Sequence, residues 1–329
     1  MTAFASRLAT AGDSYAANRQ DMLALIDEVQ RLKARAEALS EKRRPRFEER
    51  GQLTPRERLL RLLDPGMPFL ELYGLADFCV DTDDREKSIP GASALAGIGF
   101  VSGLRCLVYV DDSGINAGAS TKMSGDKLRC CLDVAIRHKL PFVHLVESAG
   151  ANLMQYEVAQ WAVGGGIFYR LARLSALGIP TVAVLHGPAT AGGAYMPGMS
   201  DYVVSVRGRG RASLGGAALV RAATGEVSDE EELAGTDMHA TTSGLVEYSA
   251  EDDAEALLIA RRVLAGLDWN KGCVPPQRRP FAEPRFPWPR LQRLILDESP
   301  LTGVSARDFL ASLSYQRLII SGGATSTTL

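Results

Sequence analysis

Along this chain, short apolar runs bounded by glycine, proline and small residues alternate with amphipathic stretches of helical period. Gly97–Val101 and Leu104–Val110 flank Ser102-Gly103 and predict a β-hairpin. Leu140–Ser148, Thr181–Leu185 and Tyr202–Val206 are apolar, β-branched runs of buried-strand length. Between them, residues 126–138, Tyr156–Gly166, Ile167–Leu177 and Glu251–Leu267 read as helices. In the last, Ala254, Leu257, Leu258 and Val263 are expected to face inward, with Ser249 and Asp252 as caps. Residues 14–50 read as a charged helical arm with one apolar stripe, Met22, Leu25, Ile26, Val29 and Leu32. In LTPRERLLRLLDPG, Thr54 is an N-cap, Pro55 fits the first helical position and Glu57 completes a capping box. Leu59, Leu60, Leu62 and Leu63 are expected to bury that helix, and Asp64-Pro65-Gly66 to end it; this explanation is structural and assigns the segment no chemistry. Strands alternating with helices place the chain in the α/β class.

Two of the strands end in loops almost without side chains. Thr181–Leu185 runs into His186-Gly187-Pro188, where the missing proline donor is expected to take the chain out of the sheet. Ala189-Thr190-Ala191-Gly192-Gly193-Ala194 follows, and a helix starting near Gly192 or Gly193 would leave main-chain donors facing whatever binds there. About forty residues upstream, Leu140–Ser148 runs into Ala149-Gly150-Ala151-Asn152. Two such loops can each supply an N–H to one developing negative charge, as a thioester carbonyl becoming an enolate requires.

Composition narrows the alternatives. Hydrophobic residues make up 46% and charged residues 23%, and Lys plus Arg (37) nearly balances Asp plus Glu (39). That balance offers no electrostatic footprint for nucleic acid or an acidic membrane. The five cysteines form no CxxC pair and only four histidines accompany them, which argues against a zinc ribbon and for free thiols in a reducing cytoplasm. No run approaches the length of a membrane span, and the N-terminus lacks a secretory apolar core.

Other stretches divide between bland and functional readings. Asp111-Asp112 lacks further regularly spaced oxygen donors and reads as a turn rather than a metal site. The run EKRRPRFEER is a solvated face or a basic rim for a nucleotide-bearing substrate. Gly164-Gly165-Gly166 is a hinge or a close helix crossing. Arg207, Arg209 and Arg211 alternate with glycine at strand spacing, on one wet face. Ser228–Leu233 and Gly235–Gly244 are acidic and turn-like, and His239 is a structural hydrogen-bonder in preference to a catalyst. Six prolines between Val274 and Pro289 mark a linker, after which Leu291–Leu313 is expected to be helical and Ser321–Leu329 frayed.

The segments Leu53–Leu72, Leu145–Leu153, Gly178–Val204 and Leu214–Leu245 resemble, in order and spacing, the N-terminal half of the β (carboxyltransferase) subunit of biotin-dependent acyl-CoA carboxylases. The resemblance implies a crotonase-like α/β fold, a ββα superhelix, with a helical arm at 1–50, a carboxyltransferase N-terminal domain at 51–270 and a tail at 271–329. It implies transfer of a carboxyl group from carboxybiotin, on a carrier domain of another protein, to the α-carbon of an acyl-CoA, with no metal in this chain. Carried over by position, Gly192 and Gly193 hold the enolate oxygen, with Gly150 and Ala151 beside them. Ala149, Ala191 and Ala194 line the acyl-CoA site, and Lys122 and Lys127 are candidates for a CoA phosphate. Departures are Asn116-Ala117-Gly118 in place of a Lys-Gly-Gly element, Ala149 in place of glycine, and LGGAAL where prolines are common.

Implied partners are the acyl-CoA, a biotin carboxylase or biotin carrier subunit, and further copies of this chain or a C-terminal half. The tail is too short for a second carboxyltransferase domain, so the expectation is a truncated or split form, or one without carboxyl transfer. Two alternatives accompany this reading. One is another acyl-CoA enzyme of the fold, a biotin-linked decarboxylase or a hydratase with Glu147 or Glu157 as its carboxylate. The other is a non-catalytic CoA-binding or assembly subunit.

Overall fold

The computed structural model describes residues 10–80, 82–151, 158–267 and 269. Leu32–Trp269 form one compact unit; of the other, the described stretch is 10–31. The expected linker, the helical piece at 291–313 and the terminal tail lie outside the described residues.

The expected arm is two helices, α1 (Asp13–Glu41) and α2 (Arg44–Glu49), because Pro45 fits only the first turn of a new helix. Of the expected apolar stripe Leu32 is buried, whereas Leu25, Ile26 and Val29 stay exposed. The next helix, α3 (Pro55–Leu62), has the capping box read from its sequence: Glu57 N–H donates to Thr54 Oγ1, and Thr54 N–H to Glu57 Oε2 at 2.8 Å. It buries Leu59 and Leu62, while Leu60 is 71% exposed, a correction that follows from the 3.6-residue period.

Strand β1 (Leu70–Glu71) pairs antiparallel with β2 (Ala94–Val101), and β2 with β3 (Leu104–Asp111). Ser102 and Gly103 between β2 and β3 both have positive φ, the conformation a two-residue hairpin loop demands. Helix α4 (Lys122–His138) starts four residues earlier than expected, because Thr121 and Ser124 form a capping box of their own. It leads to β4 (Phe142–Ser148), and α5 (Val158–Ala176) runs unbroken through Gly164–Gly166 to β5 (Thr181–Thr190). The short α6 (Tyr195–Gly198) precedes β6 (Tyr202–Val206), and β7 (Arg211–Ser213) precedes α7 (Ala217–Thr224). The acidic region expected as turns is largely helical: α8 (Glu230–Ala234), capped by Asp229, and α9 (Thr236–Met238), continued by a π turn at His239–Ser243. Strand β8 (Tyr248–Ala250) and α10 (Asp253–Gly266) complete the unit.

The sheet runs β1-β2-β3-β4-β5-β6-β8, parallel from β3 onward. Strand β5 does not leave it at Pro188. Its first half pairs with β6, and Pro188–Thr190 pair with β7. The β4–β5 register breaks between Val146 and Ser148, so the ladder is already interrupted where the proline lacks its donor. Alternate strand residues feed two cores. Leu107, Phe142 and Leu185 pack with Leu132 and Leu174 of α4 and α5; Val108, Val143 and Val184 pack with Leu62, Leu257 and Leu264 of α3 and α10. In α10 the inward set is Ala256, Leu257, Ala260 and Leu264; Ala254 and Leu258 are exposed, contrary to expectation, and Asp252 alone caps the helix.

Candidate active site

The two small-residue loops emerge side by side from the C-terminal ends of β4 and β5. Ser148 pairs with Ala189, and a Cβ placed on Gly150 would lie 3.2 Å from the Thr190 carbonyl oxygen. A third segment packs against them. Asn116, Ala117 and Gly118 all have positive φ, and this turn brings its backbone so close to β4 that a Cβ on Gly118 would sit 2.3 Å from Glu147 O.

These contacts decide which amides are free. Ala149 N–H donates to Ala117 O at 3.1 Å and Gly150 N–H to Ser148 Oγ at 3.2 Å, so both are engaged inside the fold. Ala151 N–H has no acceptor among the described residues, and Ala151 is exposed. Across from it, Ala191–Ala194 form a 3₁₀ turn capped by Thr190. In such a turn the first bond runs from the third residue back to the cap, which engages Gly193, and the parallel pairing of Thr190 with Ser213 directs the Ala191 N–H to the Ser213 carbonyl, so Gly192 is the leading donor. A Cβ at Gly192 or Gly193 would meet nothing within 4 Å, so the space before them is open. The donors without an acceptor among the described residues are therefore Ala151 and Gly192, one in each loop and both in the expected set, whereas Gly150 and Gly193 are engaged within the fold.

On one side of these loops lies a cavity of about 360 Å³. Ala117, Ala149 and Pro188 line one wall, Gln52 and Glu147 lie at its floor, and Arg43, Arg46 and Arg50 of the α2 region form the rim. Arg44 is taken up by Glu41, Glu48 and Glu57, whereas Arg43, Arg46 and Arg50 are exposed and have no ion-pair partner among the described residues. Of the two readings of EKRRPRFEER, the placement favours the rim.

Residues 46–306 match the carboxyl transferase domain family. The chain belongs to that family. It is 42% identical over 269 residues, 80% of its length, to the biotin-dependent 3-methylcrotonyl-coenzyme A carboxylase beta1 subunit of Mycobacterium tuberculosis, covering 50% of that protein. It is 38% identical over 248 residues, 75% of its length, to a mitochondrial methylcrotonoyl-CoA carboxylase beta chain of Dictyostelium discoideum, covering 42%. The geranyl-CoA carboxylase beta subunit of P. aeruginosa superimposes with a TM-score of 0.81 at 40% identity, covering 90% of this chain and 54% of that one. The chain thus spans about half the length of these relatives, and its fold is the crotonase-like fold of carboxyltransferases.

In this member of the carboxyl transferase domain family one expected phosphate contact is corrected. Lys127 is 3% exposed and its Nζ donates to Gly91 O and Ala94 O at 3.0 and 2.7 Å, so it holds a turn rather than a ligand. Burial lowers its pKa to about 8. The unfolded chain, with a lysine near pH 10.4, binds more protons between those values. The stability of the parent relative to Lys127→Met is therefore expected to rise with pH from about 8 to about 10.4, measured by denaturant unfolding at each pH. Lys122 is exposed at the start of α4.

His239 is buried, with Nδ1 2.7 Å from Ser243 Oγ and Nε2 2.8 Å from Ala212 O, a structural arrangement. Arg207 and Arg209 lie in a turn and Arg211 opens β7: Arg207 pairs with Asp237 and Glu251, Arg209 donates to Gly51 O, and Arg211 approaches Glu230 and Glu231. Asp112 is buried and accepts from Ser40 Oγ at 2.6 Å. Among the described residues no cluster of three or more His, Cys, Asp or Glu could hold a metal, and no described helix is long and apolar enough to cross a membrane.

Sequence reasoning missed a buried ionic network behind the cavity. Arg58 of α3, 1% exposed, pairs through Nη1 with Glu147 Oε2 and through Nε with Asp253 Oδ2 at 3.1 Å. Asp253 Oδ1 accepts from His186 Nδ1 at 2.8 Å, and Leu53 N–H donates to Asp253 Oδ2 at 2.7 Å. Burial would raise the Asp253 carboxyl, but His186, Arg58 and the Leu53 amide together hold it well below the usual range. Burial, reinforced by the Arg58 charge, lowers the pKa of His186. Glu147 is fixed by Arg58 and Gln52 and is no free base for a hydratase; Glu157 lies outside the described residues.

Proposed function

We propose that this chain is the carboxyltransferase half that binds an acyl-CoA and stabilises its enolate, within a biotin-dependent acyl-CoA carboxylase. The adjacency of the two bare loops, with the Ala151 and Gly192 amides lacking an acceptor among the described residues and open space before Gly192, carries this reading. A thioester carbonyl seated there gains negative charge as its α-proton leaves, and fixed donors stabilise that charge more than the neutral ground state. Carboxybiotin on a carrier subunit would supply the carboxyl group that forms the new bond to the α-carbon and accept the α-proton on the released ring nitrogen. This chain contributes orientation, exclusion of water and the oxyanion donors. The lack of a free carboxylate beside the described donors fits that division. The assembly is proposed to include a biotin carrier subunit and either further copies of this chain or a complementary C-terminal half.

The basic rim supports a substrate carrying phosphates: Arg43, Arg46 and Arg50 are held on one side of the cavity, open to solvent and uncommitted. Replacing Arg46 and Arg50 together by alanine is expected to raise KM for the acyl-CoA by roughly tenfold per arginine, with kcat unchanged and the effect weaker at high salt. The corresponding pantetheine thioester, which lacks the nucleotide, should show no such change.

The activity itself is tested by incubating the chain with acyl-CoAs and carboxylated biotin carrier, with and without a complementary half, and weighing the thioester product. A gain of one carboxyl group on the acyl chain is expected. Acyl-CoA binding with no such product in either arm would favour the non-catalytic alternative.

A further inference from the structure

Thr54, Pro55 and Glu57 account for the start of α3, but not for the adjoining Gln52 and Arg58, which face away from solvent into the network described above. Glu147, the hub of that network, lies between Val146 and Ser148, where the β4–β5 register breaks. What the backbone ladder does not hold there, side chains must. Glu147 N–H donates to Asp111 Oδ2 at 3.2 Å, and its side chain rests on β5: a Cβ at Gly187 would fall 2.6 Å from Glu147 Cγ. Gln52 Nε2 reaches both Glu147 Oε1 and His186 O at 3.4 Å. Arg58 ties Glu147 to Asp253 at the start of α10, and its guanidinium lies 5.9 Å from the centre of the Phe47 ring, which lines the cavity. Ala149–Ala151 follow Glu147 with only Ser148 between, and Pro188–Gly192 follow Gly187.

We propose that Arg58 and Glu147 are positioning residues for the oxyanion site, setting the spacing between the Ala151 amide on one loop and the Gly192 amide on the other. This rests on the carboxyl-transfer reading. A buried pair of this kind adds little net stability over apolar residues of similar volume, so its effect is expected in geometry. A misplacement of about 1 Å can lower a rate by roughly 10²-fold.

Glu147→Gln keeps the shape and the acceptor for Arg58 but removes the charge that holds it. The expected result is kcat lower by about tenfold or more, with the acyl-CoA KM within about twofold and an unfolding midpoint that falls less than in Arg58→Ala, because Arg58 keeps Asp253. The double variant Arg58→Met with Glu147→Leu, in which only Asp253 loses its guanidinium, is expected to unfold at a higher midpoint than Arg58→Ala and still to have low kcat; parental kcat in that folded variant would overturn the proposal. Amide hydrogen exchange supplies a readout independent of turnover. Residues 149–151 and 189–193 should exchange about tenfold faster in Glu147→Gln, with α4 unchanged. Unchanged exchange in both loops would overturn the positioning role. Faster exchange in Glu147→Gln, together with a parent that transfers no carboxyl group, would uphold it while rejecting the assigned reaction.

Discussion

Gly192→Val is expected to fold as the parent does and to lose roughly 10²- to 10³-fold in the rate of carboxyl transfer. The two halves of that expectation have separate physical origins. Gly192 has no left-handed φ, and a Cβ built on it meets no atom within 4 Å, so the folded chain tolerates the side chain. The same emptiness is the space the proposed thioester would enter to reach the Gly192 amide, and an isopropyl group there would push the carbonyl out of hydrogen-bond range. Gly150 would be a poor choice for this experiment. Its φ is +85° and its Cβ would crowd Thr190 O, so a side chain there strains the loop whatever the chemistry. Comparing kcat with the thermal midpoint separates the effects: a low midpoint would assign Gly192 to folding, and full activity would remove it from the site.

Arg58→Ala is expected to destabilise the compact unit by about 3–5 kcal/mol, because it leaves the Glu147 and Asp253 carboxylates buried without their guanidinium. In a chain of this size that corresponds to a midpoint lower by roughly 10 °C. The pH dependence follows from Asp253. Its folded pKa lies below the unfolded value near 3.9, so its contribution is present above that pH and is lost as the pH falls toward the folded value. Arg58 supplies part of that depression, so the gap between parent and variant should narrow below about pH 4. Urea unfolding at several pH values reads both quantities, and a gap that widens with acid would contradict this assignment.

The elements were legible wherever local rules govern them. The capping box of α3, the two-residue hairpin loop and the strands that end in bare loops all follow from a few adjacent residues. Strand β5 was cut short because Pro188 argues against a ladder locally, while its pairing with β7 and the register break beside it are nonlocal facts. The donor set narrowed to one residue in each loop for a similar reason. Ala117 O, which occupies Ala149's amide, belongs to a turn some thirty residues away, and nothing near Ala149 announces it.

The ionic network lay further from view, since Arg58 is separated from Glu147 by 89 positions and from Asp253 by 195. A signal for it did exist. Arg58 falls on the stripe shared by Pro55, Leu59 and Leu62, and Asp253 on that of Ala256, Leu257, Ala260 and Leu264. A charged residue on an apolar helical face must find a partner inside, and two such residues of opposite sign suggest each other. The identity of α3 as a helix concealed the second task of its signature.

The most direct measurement is a crystal structure of the chain with a non-hydrolysable acyl-CoA bound. The thioester carbonyl oxygen is expected within about 2.7–3.1 Å of the backbone nitrogens of Ala151 and Gly192, with the nucleotide phosphates against Arg46 and Arg50. A carbonyl that faces solvent, or that is held by side chains away from both loops, would contradict the account.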